Sequence, residues 1–256
     1  PYSRAATLRG GCLTIKKYKM VNVNTVYQTV LALADKDQGG YITPQEFNLF
    51  ANHAQNEIFE QYFYDLNQFK RVPGNQTDDA DMTGLIRDKL SLFRETIFAT
   101  GGNTPPLPDN FYRIMNVAYG DNAITCEKVE RSDQTYYTTP LLSPTKHTPI
   151  FYMLGSTALD GSINRSVQVR PSVNSFRVHY YRKPAKPNWT YIVSQNAKKP
   201  LYNGSALDHQ HFELHPSEEK NLVHKILQLA GVSTKDFNTA QFANAEEAKS
   251  IQQEKS

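Results

Sequence analysis

Apolar residues at Val23, Val26, Tyr27, Val30, Leu31 and Ala34 recur every three or four positions, the spacing of one helical face, and predict a short amphipathic helix from Val23 to Ala34. Gly39-Gly40 ends it. Thr43, Pro44 and Glu46 then make a helix start: a hydroxyl cap, a proline at the first helical position, where its N–H is not needed, and a carboxylate three residues after the cap that can reach back to it. Phe47, Phe50, Ala51, Ala54, Ile58, Phe59, Tyr62, Phe63 and Leu66 continue as one stripe, with no proline or glycine before Pro73-Gly74. They predict a helix from Pro44 to Phe69, roughly 39 Å long at about 1.5 Å per residue. Leu85, Ile86, Leu90 and Phe93 predict a third helix from Asp79 to Phe93, although Gly84 weakens it.

The pattern changes after Gly101-Gly102 and Pro105-Pro106-Leu107-Pro108. Short aromatic and β-branched runs between turns predict strands at Phe111–Tyr119, Ile124–Val129, Ile150–Leu154, Val167–Val169, Phe176–Tyr181 and Trp189–Val193. Alternation in Phe176-Arg177-Val178-His179-Tyr180 puts three apolar side chains on one sheet face. Helix returns with Phe212, Leu214, Pro216-Ser217-Glu218-Glu219 and the stripe Leu222, Val223, Ile226, Leu227, Leu229, and Gly231 is expected to end it. The expected fold class is α+β: a helical bundle of N- and C-terminal helices with an inserted β-rich domain, sandwich- or barrel-like. In residue numbers this gives a basic arm at 1–19, helical structure at 20–100, the β-rich insertion at 101–208, the C-terminal helix at 209–232, and a polar tail at 233–256 that orders on assembly.

Composition narrows the function classes. The 256 residues have a mean hydropathy of −0.57, and no apolar run approaches the roughly 18 residues of a membrane span. Cys12 and Cys126 stand far apart, which indicates neither a disulfide framework nor a thiolate zinc site, and assembly in the cytoplasm is expected. The net charge of +3 is unevenly distributed. Residues 1–19 hold Arg4, Arg9, Lys16, Lys17 and Lys19 with no acid; taking those five from the 28 lysines and arginines leaves 23 bases against 25 acids. A body that is slightly acidic is not that of a dedicated nucleic-acid binder.

The sharpest local signal, Asp35-Lys36-Asp37-Gln38-Gly39-Gly40-Tyr41-Ile42-Thr43-Pro44-Gln45-Glu46, resembles an EF-hand loop with acids at its first and third positions, glycine at the sixth and glutamate at the twelfth. Gly39 at the fifth position offers no ligand, and the turn plus the Thr43/Glu46 cap explain the same residues without calcium. His209, His211 and His215 form a histidine cluster, with Asp208 and Glu213 as the nearest acids; spacing of this kind can gather imidazoles on zinc, but a polar loop is the simpler reading. Adjacent carboxylates at Asp78/Asp79 and Glu218/Glu219 fall where helix N-termini favour negative charge. No phosphate loop, zinc-protease helix, nucleophile elbow or dinucleotide fingerprint occurs, so the chain is expected not to be an enzyme and to need no cofactor. The 15 tyrosines and 13 phenylalanines include Phe59, Tyr62, Phe63 and Tyr64, which put rings on both sides of a helix; either the core is generously aromatic or some rings are buried between copies.

Four blocks carry a resemblance: Gly40 to Asn67, Leu107 to Arg113, Tyr181-Arg182-Lys183-Pro184 followed by Trp189, and Phe212 to Glu219. In this order they resemble virion proteins of crAss-like and related tailed bacteriophages, the head–tail adaptor or connector ring proteins that sit beneath the portal. The resemblance implies a homo-oligomeric ring of twelve copies at the neck of the virion. Its partners would be the portal and other neck or tail rings, with genomic DNA passing through the lumen unbound. It supplies no catalytic residues.

Overall fold

A computed structural model describes residues 20–36, 42–71, 77–100, 105–121, 123–157, 163–193 and 200–234, with positions 245 and 248 beyond them. The basic arm, nearly all of the polar tail and the Asp37 to Gly40 stretch lie outside the described residues.

The chain is a mixture of helix and largely antiparallel sheet, the α+β class expected. Four helices, α1 (Val23–Lys36), α2 (Pro44–Arg71), α3 (Thr77–Ser91) and α4 (Glu219–Thr234), share one apolar cluster. The predicted stripes supply it: Val26 and Val30 from α1, Phe47, Ala51 and Phe59 from α2, Leu90 from α3, and Leu222 and Ile226 from α4 are all shielded from solvent. Burial of each larger side chain of this kind is worth about 1.5–3 kcal/mol. α4 packs on both α1 and α2, and the segment before it is joined to the chain start through the Phe212 N–H, which donates to the Val21 carbonyl at 3.2 Å. The α2 start is the expected reciprocal cap: the Thr43 N–H donates to Glu46 Oε2 at 3.0 Å and the Glu46 N–H to Thr43 Oγ1 at 3.3 Å.

Among the described residues nine strands lie between α3 and α4: β1 (Arg94–Thr100), β2 (Phe111–Tyr119), β3 (Ile124–Thr125), β4 (Glu127–Lys128), β5 (Ile150–Thr157), β6 (Ile163–Arg170), β7 (Ser175–Arg182), β8 (Tyr191–Val193) and β9 (Pro200–Tyr202). They form a sheet in the order β1-β7-β2-β3, a second in the order β4-β5-β6, and a two-stranded ribbon β8-β9. Val117, Tyr119, Phe176 and Val178 from the first sheet meet Phe151, Val167 and Val169 from the second in one apolar cluster. β7 alternates as expected, with Phe176, Val178 and Tyr180 buried, and its Tyr181 belongs to the helical cluster instead.

Several expectations are corrected. Arg94–Thr100, inside the expected helical region, is a strand paired with β7, so the sheet begins before residue 101. The single run Ile124–Val129 is two strands in different sheets: the chain crosses at buried Cys126, whose N–H donates to Val117 in the first sheet while the Glu127 N–H donates to Pro149 beside the second. Trp189 precedes β8 rather than joining it, and its neighbour strand β9 is additional. Gly231 does not end α4, which runs on to Thr234 with Gly231 buried, despite the roughly 1 kcal/mol that glycine costs in a helix. Leu85 points to solvent, whereas Ile86, Leu90 and Phe93 are buried.

Candidate functional site

The polar side chains that the fold gathers lie on the seam between the helices, the first sheet and the chain leading into α4. Gln55, at the centre of the α2 stripe, has no exposed surface; its Nε2 donates to the Ala185 carbonyl at 2.8 Å and its Oε1 accepts from the Glu213 N–H at 3.0 Å. Arg182, at the end of β7, holds Glu213 with both terminal nitrogens, at 2.6 and 3.2 Å, and reaches Glu95 of β1 with Nε at 3.0 Å. Glu213 also accepts from the Ala185 N–H at 2.8 Å. This bidentate pairing, the main influence on Arg182, pushes its pKa further up, so the cation is permanent. Tyr180 donates to Glu95 at 2.6 Å, and burial, then that carboxylate, pushes its phenol up to about 12.

Trp189 is the aromatic anchor of the seam. Its ring packs on Tyr27 at 4.3 Å and stacks with Tyr191 and Tyr202 at 5.8 and 6.0 Å. Its Nε1 donates to Asn24 Oδ1 at 3.0 Å, and Asn48 bonds its backbone on both sides, accepting from the N–H at 2.8 Å and donating to the carbonyl at 3.2 Å. Two short amide side chains, one on each of two helices, thus fix an extended segment that has few ladder partners of its own.

The histidines of the expected cluster divide. His209 and His211 do meet, with ring centroids 4.6 Å apart. His211 Nδ1 accepts from the Val23 N–H at 3.3 Å, and burial, helped by neighbouring His209, lowers its pKa. His209 Nε2 lies 3.1 Å from Tyr202 Oη. His215 instead caps the turn at Pro216–Glu218, its Nδ1 accepting from the Ser217 N–H. Asp208 and Glu213 serve Asn188 and Arg182. Among the described residues no group of three or more His, Cys, Asp or Glu side chains is placed to hold a metal. Of the EF-hand-like residues, the Asp35 side chain and all of Asp37 lie outside the described set, and Glu46 Oε2 accepts from Thr43 Oγ1 at 2.8 Å as well as from its N–H. That contact lowers the Glu46 pKa and is what a helix cap requires.

Glu218 does more than favour a helix start. It is buried, with Lys89 of α3 at 2.6 Å and Asn221 at 3.1 Å, and so ties α3 to α4. Neither Gln55 nor the Arg182 network is among the residues expected from sequence, yet Asn48 and Gln55 left a trace as amides two turns apart on an otherwise apolar face.

The four α2 rings divide between the two alternatives, with Tyr64 55% exposed on the outer side of the helix. Phe59, Tyr62 and Phe63 are buried within this chain, and Phe59 meets Phe63, Phe93 and Tyr112 edge-on at 4.9 to 5.2 Å. These rings need no second copy. Other exposed apolar side chains include Leu49 on α2, Phe98 on β1, Leu141 and Leu142 in a turn between β4 and β5, and Ile192 directly opposite Leu201 on the β8-β9 ribbon. No protein-family model matches the chain, and no curated protein matches it.

Proposed function

We propose that this chain is a structural subunit of a phage head–tail adaptor ring, set beneath the portal in the neck of the virion, and that it performs no catalysis. In this reading the four helices are a small bundle carrying the two larger sheets as an inserted sandwich. Twelve copies extend the portal channel, dock further neck or tail rings, and let DNA through without gripping it.

One observation carries the reading: the four sequence blocks behind the phage resemblance, scattered from Gly40 to Glu219, converge on the seam. Asn48 and Gln55 from the first block bond Trp189 of the third and Glu213 of the fourth. Tyr112 of the second lies against Phe59 and Phe63 of the first, at 4.9 and 5.1 Å, and Arg182 of the third holds Glu213. The resemblance therefore falls on the residues that define this architecture. The titratable groups there are engaged in holding elements together, and an exposed aliphatic ribbon is a usual mark of a contact surface.

The test is reconstitution with the portal encoded by the same genome. Electron microscopy is expected to find a closed ring added to the portal. Dispersed single copies at high concentration, with the portal present and bare, would overturn the proposal.

A further inference from the structure

One face of the four-stranded sheet lies on the second sheet; the helices cover only part of the other. Cross-strand pairing arranges that outer face in rows: Phe98 with Arg177 and Ala118, Thr96 with His179 and Asn116, and Arg94 with Tyr181 and Arg113. The third row is where the helices arrive, since Tyr181 is buried against Phe63 at 5.2 Å. The first two rows are exposed on the β1 side, at Phe98 and Thr96, while Arg177, His179 and Asn116 are half-buried and Ala118 is buried. Phe98 is 69% exposed, with the Arg177 guanidinium 5.7 Å over its ring, and Thr96 Oγ1 meets His179 Nδ1 at 2.8 Å. Arg94 and Arg113 are exposed too, and no carboxylate stands among the described residues of these rows.

The opposite sign lies on α2. Between Pro44 and Gln68 that helix has Glu46, Glu57, Glu60 and Asp65 and no lysine or arginine. Its outward stripe runs Glu46, Leu49, His53, Glu57, Glu60, Tyr64, with Leu49 63% and Tyr64 55% exposed. Lys225 of α4 pairs with Glu57 at 2.8 Å, which leaves the stretch from Pro44 to Gln68 acidic on balance, ahead of Lys70 and Arg71 at the helix end. Each surface thus combines one sign of charge with exposed apolar side chains, the makeup of a contact with a polar rim and a dry centre.

We propose that the arginine face of this sheet docks on the acidic α2 stripe of a second copy of the chain, head to tail. Either surface repels its own kind, so sheet-on-sheet and helix-on-helix pairing are disfavoured, whereas sheet-on-helix pairing is attractive. A contact between two different patches leaves one of each free, so it propagates and closes into a ring when the rotation allows. The inference rests on the ring reading and adds the interface that builds it. The two surfaces adjoin at Tyr112, where Glu60 and Arg113 act on the phenol in opposite senses, so the substitution on the sheet is placed two rows away, at Arg177.

Sedimentation velocity of the full chain at low ionic strength tests it. Wild type is expected to form particles larger than a dimer that dissociate as salt rises, because contacts between exposed charges are screened over about 10 Å at 0.1 M salt. Arg177→Glu and Glu60→Arg should each sediment as a monomer, and mixing the two should restore the large particles, since each then meets an opposite charge on the other. Misfolding could not produce that restoration. If either variant fails to fold by circular dichroism, Phe98→Ser takes its place and should give monomers. Wild type that stays monomeric, or forms dimers only, overturns the inference. So does a wild-type oligomer indifferent to these substitutions, although the ring reading then survives with another contact. Monomeric wild type that binds a single-stranded oligonucleotide through Arg177 would reassign the face to nucleic acid and likewise overturn the inference.

Discussion

Replacing Gln55 with leucine puts a good helix former of similar size on an apolar stripe, and by hydrophobicity alone it should stabilise the protein. The structure predicts the reverse. The amide is fully buried and satisfies the Ala185 carbonyl at 2.8 Å and the Glu213 N–H at 3.0 Å, two backbone groups of half-buried residues. Each such group left unpaired costs roughly 1–3 kcal/mol, partly offset because leucine is easier to bury than an amide. A net loss of about 2–4 kcal/mol follows, which at roughly 2–4 °C per kcal/mol for a chain of this size lowers Tm by about 5–15 °C. Gln55→Glu sharpens the test. The protonated acid can still donate to Ala185 and accept from Glu213, so the variant should approach wild type below about pH 4, near the pKa of an unfolded glutamate. Burial raises the folded-state pKa above that value, so the folded protein holds the proton more tightly and the deficit grows with pH until the folded-state pKa is passed. Urea and thermal unfolding between pH 4 and 7.5 measure both effects. A leucine variant as stable as wild type, or a glutamate variant whose deficit ignores pH, would refute the reasoning.

Three further outcomes are expected. Arg182→Met leaves Glu213 and Glu95 without their shared cation and should lower stability toward the low end of the roughly 3–5 kcal/mol seen when one partner of a buried pair is removed, because the side chains of Arg182 and Glu213 stay 19% and 12% exposed; a change below about 1 kcal/mol in urea unfolding would contradict this. His211 has a lowered folded pKa, so the stability it protects is complete above the unfolded value near 6.5 and falls as pH drops toward the folded value; His211→Asn should flatten the stability–pH curve in that window, and an unchanged slope would count against it. Burial pushes the Cys126 thiol up to about 12, so in a Cys12→Ser background a thiol reagent at pH 8 should label it only as fast as the protein opens, with the rate rising in sub-denaturing urea; prompt labelling of folded protein would refute that.

Where local chemistry and burial agree, the elements could be read from the chain. The Thr43-Pro44-Glu46 start is followed by a stripe that is buried as its spacing implies, and β2 has the bounds that its aromatic and β-branched run suggests. β1 was hidden because its pattern is inverted: bulky Phe98 faces outward and small Ala99 inward, so alternation in size misreports the face. Pro200-Leu201-Tyr202 is too short to show any period, and nothing local marks Cys126 as the point where the chain changes sheets. The seam was the least legible part. Asn24, Asn48, Arg182 and Glu213 are ordinary polar residues until residues 31 to 165 positions apart are brought together.

The eight residues of β7 are rooted in two different interiors, Phe176 and Val178 among the sheets and Tyr181 among the helices. Sliding that strand by one position would turn Arg177 and His179 inward on one side and withdraw the tyrosine on the other, so its register is locked twice. A pull on the sheet reaches the helices along this strand, and along β2 through Tyr112. Melting either half alone would strip the other of part of its packing, and the molecule should yield to heat or load as one block.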